Sequence, residues 1–364
     1  MYVKKINVFI VYEGDLFKLK IGIFDHVEKL PALSLSKQYS DRISFVQRAD
    51  ELGFYSYHVA EHHHSPLTVA PSQGTYLGAL ASVTNNIRLC PLVYVLPLHH
   101  PVRAIEEICM LDNLTEGRLD IGFGRGAPVG DELSMWGRNP EQSNEIYEES
   151  LKIIFQGLTN EFLNFQGKHF EFEDLWMELR PYQQPYPPIW VAGSPVKAGE
   201  LGSNLISEGT IEEFPKVVDK YREVWSGSRK PKTRFNFSED PLLGVSKRII
   251  VGGSSQVAEK RAKESYEVHL TNYRKPLPEG RSRRPMIMIE REVGNRILPW
   301  TVDFETAINK ERVLAGSQAQ VIEYIYKYIS DSEANFLLLS FQWGDLSHEE
   351  ALETMEIVAD EFIK

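Results

Sequence analysis

Cysteine is almost missing from this chain. Of 364 residues only Cys90 and Cys109 are cysteines, one in an apolar stretch and one in a helical one. That excludes a fold stapled by disulfides, and a chain this long can bury a core without them. Both read as buried thiols, and the reducing cytoplasm is the expected compartment. A basic surplus is missing as well: 40 Lys and Arg against 51 Asp and Glu leave a net charge of −11. Phosphate backbones are bound by cationic faces, so nucleic acid is not an expected partner. There is no long hydrophobic run near the start. Val8-Phe9-Ile10-Val11 is too short to span a bilayer, Glu13 and Asp15 follow it, and no small-residue cleavage site is present, so neither a membrane segment nor a secretory signal is expected. No Gly-x-Gly-x-x-Gly follows the first strand, which argues against an open dinucleotide-binding sheet. Without a His-Glu-x-x-His helix or a cysteine cluster, no metal site is expected.

What is present is an alternation of short apolar strands and amphipathic helices. Strands are expected at 20–24, 54–60, 87–96, 119–123, 189–192, 243–251 and 335–341, with a weak one near 201–206. The near-continuous apolar run at 87–96 reads as a strand buried on both faces. Helices are expected at 36–52, closed by Gly53, and at 72–84, 101–114 opened by Pro101, 144–158, 211–225, 318–330 and 349–363. Aromatic and polar residues alternate around Gly167 over 162–179, which predicts a hairpin insertion. The stretch 253–316 reads as a helix, a Pro- and Arg-rich loop at 275–285, then irregular sequence. Eight strands separated by helices specify an α/β fold with a parallel sheet, and closure gives a (β/α)8 TIM-type barrel with insertions near its C-terminal mouth. The expected organisation is an N-terminal extension, 1–19, and one barrel domain, 20–364, with insertions at about 158–188 and 253–316. The extension is either an added edge strand or a flexible leader.

In such a barrel, chemistry sits where strands end. Strand two ends in Glu61-His62-His63-His64 and strand four in Gly122-Phe123-Gly124-Arg125-Gly126. Strand five ends in Ala192-Gly193-Ser194. Glycines around one arginine let backbone approach a ligand while the guanidinium forks onto phosphate or polyol oxygens; the plainer reading is a tight turn with a salt bridge. Gly193 and Ser194 precede a short helix, an arrangement that suits an anion, although a serine there is more often a simple helix cap. Adjacent histidines on an extended chain point in opposite directions, so one is expected to serve function by proton exchange near neutral pH while the others pack or hydrogen-bond. Tyr94, Phe123 and Trp343 are candidates for the apolar wall of the mouth, with core packing favoured for Phe123.

The run 54–198 resembles the luciferase-like flavin monooxygenases, most nearly the alkanal monooxygenase branch. The resemblance rests on Val59-Ala60-Glu61-His62-His63, Val95-Leu96-Pro97-Leu98-His99-His100-Pro101-Val102-Arg103, Leu111-Asp112-Asn113-Leu114-Thr115-Glu116-Gly117-Arg118-Leu119 and the glycine–arginine turn. Pro188-Ile189-Trp190-Val191-Ala192-Gly193-Ser194 and the closing Trp343-Gly344-Asp345-Leu346-Ser347-His348-Glu349-Glu350-Ala351-Leu352 fit in order. It implies FMN, delivered reduced by a separate reductase, and O2 used to oxygenate a small organic substrate. It implies His62 as the catalytic histidine and Arg125 on the flavin phosphate and ribityl oxygens. Gly193 and Ser194 would form the phosphate loop, Leu92 and Val93 would flank a cis peptide behind the flavin ring, and Glu61 and Tyr94 would complete the cofactor set. It also implies a homodimer, for which the face of Gly74, Gly78 and Ala81 is a candidate, the alternative being packing on its own barrel. Two positions depart from luciferase: Gly124 replaces a reactive cysteine and Gly193 an acidic residue. The match weakens after Ala198, so neither light emission nor an aldehyde substrate follows. Two other readings of the same fold are a deazaflavin-dependent hydride-transfer oxidoreductase and a non-catalytic flavin-binding relative.

Overall fold

The computed structural model describes residues 9–12, 15–126, 131–227, 241–273 and 302–364. Eight parallel strands form a closed ring: β1 (Lys20–Asp25), β2 (Ser56–Val59), β3 (Arg88–Pro91, resuming at Tyr94–Val95), β4 (Ile121–Gly124), β5 (Ile189–Ala192), β6 (Asn204–Ser207), β7 (Leu243–Gly252) and β8 (Phe336–Ser340). Each pairs with the next, and β8 returns to β1 with Leu337 opposite Ile21. The step from β3 to β4 is closed by Tyr94 opposite Phe123 and by a bridge from Leu89 to Leu119.

The lumen is filled by side chains of strands that do not touch one another in the sheet. The Trp190 ring of β5 lies 5.0 Å from His58 of β2 and 5.0 Å from Phe336 of β8, distances that only side chains crossing the interior can reach. Cys90, Leu92, Ile206 and Leu338 complete this inner cluster. His58 is held neutral there: burial, aided by the Arg88 charge, drives its pKa down to about 3, and Ser56 Oγ lies 2.8 Å from Nε2. Toward the base, Asp120 accepts from Trp190 Nε1 at 2.8 Å and from Arg88 Nε at 2.7 Å. A buried carboxylate with two such donors locks three strands together at the end of a barrel that serves stability.

The outer layer follows its local signals. The helix Leu35–Leu52 starts on a Ser34 cap and stops at Gly53, whose φ of 88° needs no side chain. Helices Gln318–Ser332 and His348–Phe362 open with capping boxes, Ser317 with Gln320 and Ser347 with Glu350. Phe162–Gln166 pairs antiparallel with Glu171–Trp176, the expected hairpin. Cys90 and Cys109 are free and buried. No helix among the described residues is long and apolar enough to cross a membrane. Gly74 packs so tightly on its own neighbour that an added Cβ would fall 2.3 Å from Glu107, whereas Gly78 faces open space.

Four features differ from the sequence reading. The run 87–96 is not one strand, because a cis peptide between Leu92 and Val93 divides it. The segment read as irregular contains a strand, Val313–Ser317, parallel to the far half of β7. Its sequence, Val-Leu-Ala-Gly-Ser, has too little β-branched or aromatic content to signal a strand alone. A short helix, Asp131–Met135, and a 3-10 turn, Pro140–Gln142, follow β4 unannounced. The extension is no edge of the barrel, since Phe9–Tyr12 pairs antiparallel with Asp15–Lys18 as a separate two-stranded sheet. The loop at 275–285 lies outside the described residues.

Where β3 bends, β4 has glycines. A Cβ at Gly122 would stand 2.7 Å from Pro91 O, a backbone atom that cannot swing aside, and one at Gly124 would stand 2.3 Å from Val93 Cγ2. Gly122→Ala is therefore expected to destabilise the fold by about 1–3 kcal/mol through overpacking. Urea unfolding should show a lower midpoint with an unchanged slope.

Candidate active site

The C-terminal strand ends bring together residues remote in the chain. Glu61, just past β2, is buried, and its Oε2 accepts from the Val95 amide at 2.7 Å. Its Oε1 accepts from His63 Nε2 and His99 Nε2, both at 2.8 Å. Burial opposes the charge on Glu61, but the donated hydrogen bonds prevail and hold its pKa below the ordinary value; against burial, the same contact raises that of His99. Glu61, expected among the cofactor contacts, is thus a strut that ties the β2 loop to the second segment of β3. His63 is consumed by that strut and packs on Trp136 at 5.3 Å, while His64 is exposed at a φ of 46°.

His62 alone of the three turns toward the mouth. Its ring stacks on His26 with centroids 5.6 Å apart and planes at 18°, and meets Tyr273 edge-on at 6.0 Å. Its Nδ1 is 3.4 Å from Glu132 Oε1, on the helix that follows β4. His26, one residue beyond β1, is half-buried, and desolvation with its charged neighbours keeps it neutral, its pKa well below 6.5.

Behind His26 runs a hydrogen-bonded chain that no sequence motif announces. Arg248 Nη2 lies 2.8 Å from His269 Nε2, and His269 Nδ1 lies 2.7 Å from Glu28 Oε1. A guanidinium only donates, so Nε2 of His269 accepts and Nδ1 carries the proton to Glu28. His269 is therefore a neutral imidazole of one tautomer, in line with the burial and the Arg248 charge that lower its pKa. Burial opposes the charge on Glu28, yet His269 together with Asn272 Nδ2 at 2.9 Å keeps its pKa well below the usual carboxylate range.

The opposite side of the mouth is built by β3, β4 and β5. Tyr94 and Val191 both stand opposite Phe123, so Arg125 and Gly193, each two residues further on, reach the same level. Arg125 is exposed and has no ion-pair partner among the described residues. Gly193 has a φ of 80° and no atom within 4 Å of where a Cβ would stand. Its amide is committed to Ile206 O at 2.7 Å, and Ser194 caps the helix Pro195–Leu201 by accepting from Lys197 N at 3.2 Å. Leu92 faces the lumen. Tyr94 turns the other way: its hydroxyl donates to Glu107 Oε1 at 2.8 Å and its ring is buried in the outer core. Phe123 packs on Phe155 as expected, and Trp343 lies in the cluster beneath helix Ser255–Tyr273, so neither ring lines the mouth. No group of three or more His, Cys, Asp or Glu among the described residues could hold a metal ion.

A parallel eight-stranded barrel whose titratable side chains gather at the C-terminal mouth is the architecture of a TIM-type enzyme. The family model for luciferase-like monooxygenases matches residues 19–332, and the chain belongs to that family of oxidoreductases. It is 32% identical to the uncharacterized protein y4wF of Sinorhizobium fredii over 358 residues, covering 95% of this chain and 97% of that one. It is 31% identical over 248 residues to the oxygenase component of the flavin-dependent trigonelline monooxygenase of Acinetobacter baylyi, covering 68% of this chain and 69% of that one. Among solved structures it shares its fold with the oxygenating constituent of 3,6-diketocamphane monooxygenase from Pseudomonas putida in complex with FMN. The TM-score is 0.73 at 20% identity, with 94% of this chain and 97% of that one covered.

Glu28→Gln tests the buried chain. A carboxyl whose folded pKa is depressed stabilises the protein above its unfolded pKa and loses that contribution as pH falls through the folded one. The wild type should therefore lose stability as pH drops below the ordinary carboxylate range. The variant should be about 1–3 kcal/mol less stable at neutral pH and flatter in acid, as read by urea midpoints from pH 7 down to pH 3.

Proposed function

We propose that this chain is the oxygenase of a two-component flavin monooxygenase. It takes FMN reduced by a separate reductase and uses O2 to oxygenate a small organic substrate in the barrel mouth. The observation that carries this reading is Arg125, exposed and without an ion-pair partner among the described residues, level with the open Gly193 turn and across the β3 bend from His62. The residues suit the group: a guanidinium for phosphate, backbone without side chains where a cofactor passes, and a flat bend of Leu92 and Val93 for a ring to rest on. The name of the Acinetobacter relative, an oxygenase component, supports the separate reductase. The FMN in the solved neighbour supports the cofactor.

Bound reduced FMN would supply two electrons, so that one oxygen atom enters the substrate and the other leaves as water. The chain supplies the rest. Arg125 binds the phosphate end, with Gly193 and Ser194 beside it. Leu92 and Val93 back the ring, and Glu61 fixes that bend by gripping Val95. His62, with Nδ1 toward Glu132, keeps Nε2 to hold or give a proton at the reacting oxygen. The Tyr94 ring acts only through packing. Free buried thiols accord with a reducing cytoplasm shared with the reductase, and the open face at Gly78 is where a second copy would seat in a homodimer, which sedimentation would show.

Arg125→Met should weaken FMN binding about 10- to 100-fold, the worth of charge-assisted hydrogen bonds of about 1.5–3 kcal/mol, in a tryptophan-quenching titration. The same titration with a deazaflavin separates the hydride-transfer reading: preferential saturation by the deazaflavin would sink ours. His62→Ala should keep FMN affinity within about threefold while product formed per O2 consumed falls about 100-fold, the scale of a positioned proton donor, the balance appearing as hydrogen peroxide. Unchanged yield would remove His62 from the chemistry.

A further inference from the structure

The far side of the mouth, between the ends of β1, β6, β7 and β8, contains a cavity of about 130 Å³. A protein cavity of about 150 Å³ accepts one benzene ring, so this one suits a single small ring. Unlike an apolar hole it is walled by donors. Arg248 and Arg312 both line it, and neither guanidinium is saturated: Arg248 Nε and Arg312 Nη1 are buried without a hydrogen-bond partner. Buried polar atoms are rarely left so, and such an orphan calls for an explanation. Ser246 and Ser340 bring hydroxyls to the same cavity, with no protein partner among the described residues.

The charges that face this space do not cancel. Glu208 is paired with Arg312 at 2.9 Å, and no carboxylate among the described residues touches Arg248 directly, its Nη2 resting on neutral His269. Lys247 turns its ammonium away, donating to Gly209 O at 2.7 Å with Glu311 at 3.9 Å. Glu28 keeps its charge behind the neutral His269, hydrogen-bonded to it and to Asn272, and does not line the cavity. His26, neutral by burial, and the Tyr273 hydroxyl, kept protonated by burial, add a proton-exchanging group and a donor but no negative charge. Two unsaturated guanidiniums and two free hydroxyls are the donor set of a planar anion site. The cavity shares His26 with the His62 stack, so a ligand held here lies beside the proposed reacting centre.

We propose that this cavity is the substrate subsite, and that the substrate is a single-ring organic acid whose carboxylate is held by Arg248 and Arg312 with Ser246 and Ser340. The proposal deepens the monooxygenase reading and rests on it for the reaction, while the binding itself can be measured without turnover.

The test is calorimetric titration of the full chain with benzoate and with its neutral counterpart benzamide, each with and without FMN. Benzoate is expected to bind at least tenfold more tightly than benzamide, with or without FMN present. Arg248→Met and Arg312→Met should each erase that preference and leave FMN affinity within threefold. Should either variant fail to fold, the double variant Ser246→Ala, Ser340→Ala decides, with benzoate expected to weaken at least threefold and benzamide to stay unchanged. Equal binding of the two probes, or a preference that survives these changes, overturns the proposal. So does competition between FMN and benzoate with FMN binding lost in Arg248→Met, which would give the pocket to the flavin phosphate. If benzoate selectivity holds but FMN is never taken up, the anion subsite stands and the flavin reading falls.

Discussion

One constraint organises the molecule: β3 cannot run straight through the ring. At Leu92 and Val93 it bends into its neighbour, and β4 makes room with Gly122 and Gly124. The bend sends Leu92 into the lumen and Tyr94 out to Glu107, and it presents the Val95 amide to Glu61. Through Glu61 the same bend fixes His63 and His99, which leaves His62 as the histidine turned inward. A close-packed interior transmits such a displacement instead of absorbing it.

The mouth built on this frame has two unlike halves. On the β3–β5 side the chain offers backbone, glycine and one arginine without an ion-pair partner among the described residues, and little side-chain bulk. On the β1–β7 side it offers a crowded set in which Arg248, His269 and Glu28 are hydrogen-bonded in series and His26 packs against them, with Arg248 Nε left without a partner. The stacked pair His26–His62 joins them. A cofactor and a substrate make different demands, the one on reach along a groove and the other on shape and charge in a small recess, and the two halves differ in that sense.

Much of the fold was legible because helix and strand announce themselves locally. Pro101 and Gly53 mark helix ends to within a residue or two. The division of β3 was not legible from periodicity, since the isomer of a peptide bond leaves no trace in apolar pattern; it was expected only through the family resemblance. Of the site, His62, Arg125 and the Gly193 turn stand on short motifs at strand ends. His26, Arg248 and His269 lie in no shared motif, and only ring closure brings β1 and β7 to either side of β8. Glu132 escaped notice for the same reason. Tyr94 was misjudged as a wall of the mouth because alternation tells which residues share a face, not which face is inside.

Arg248 sits where two of the ladders along β7 overlap. It stands opposite Ser340 on β8 and opposite Val313 on the additional strand, the point where one ladder hands β7 to the next. Its main chain is clamped from two directions while its side chain reaches the recess. A residue so placed has its backbone held by the ladders on both sides, while its side chain answers at once to the recess and to His269.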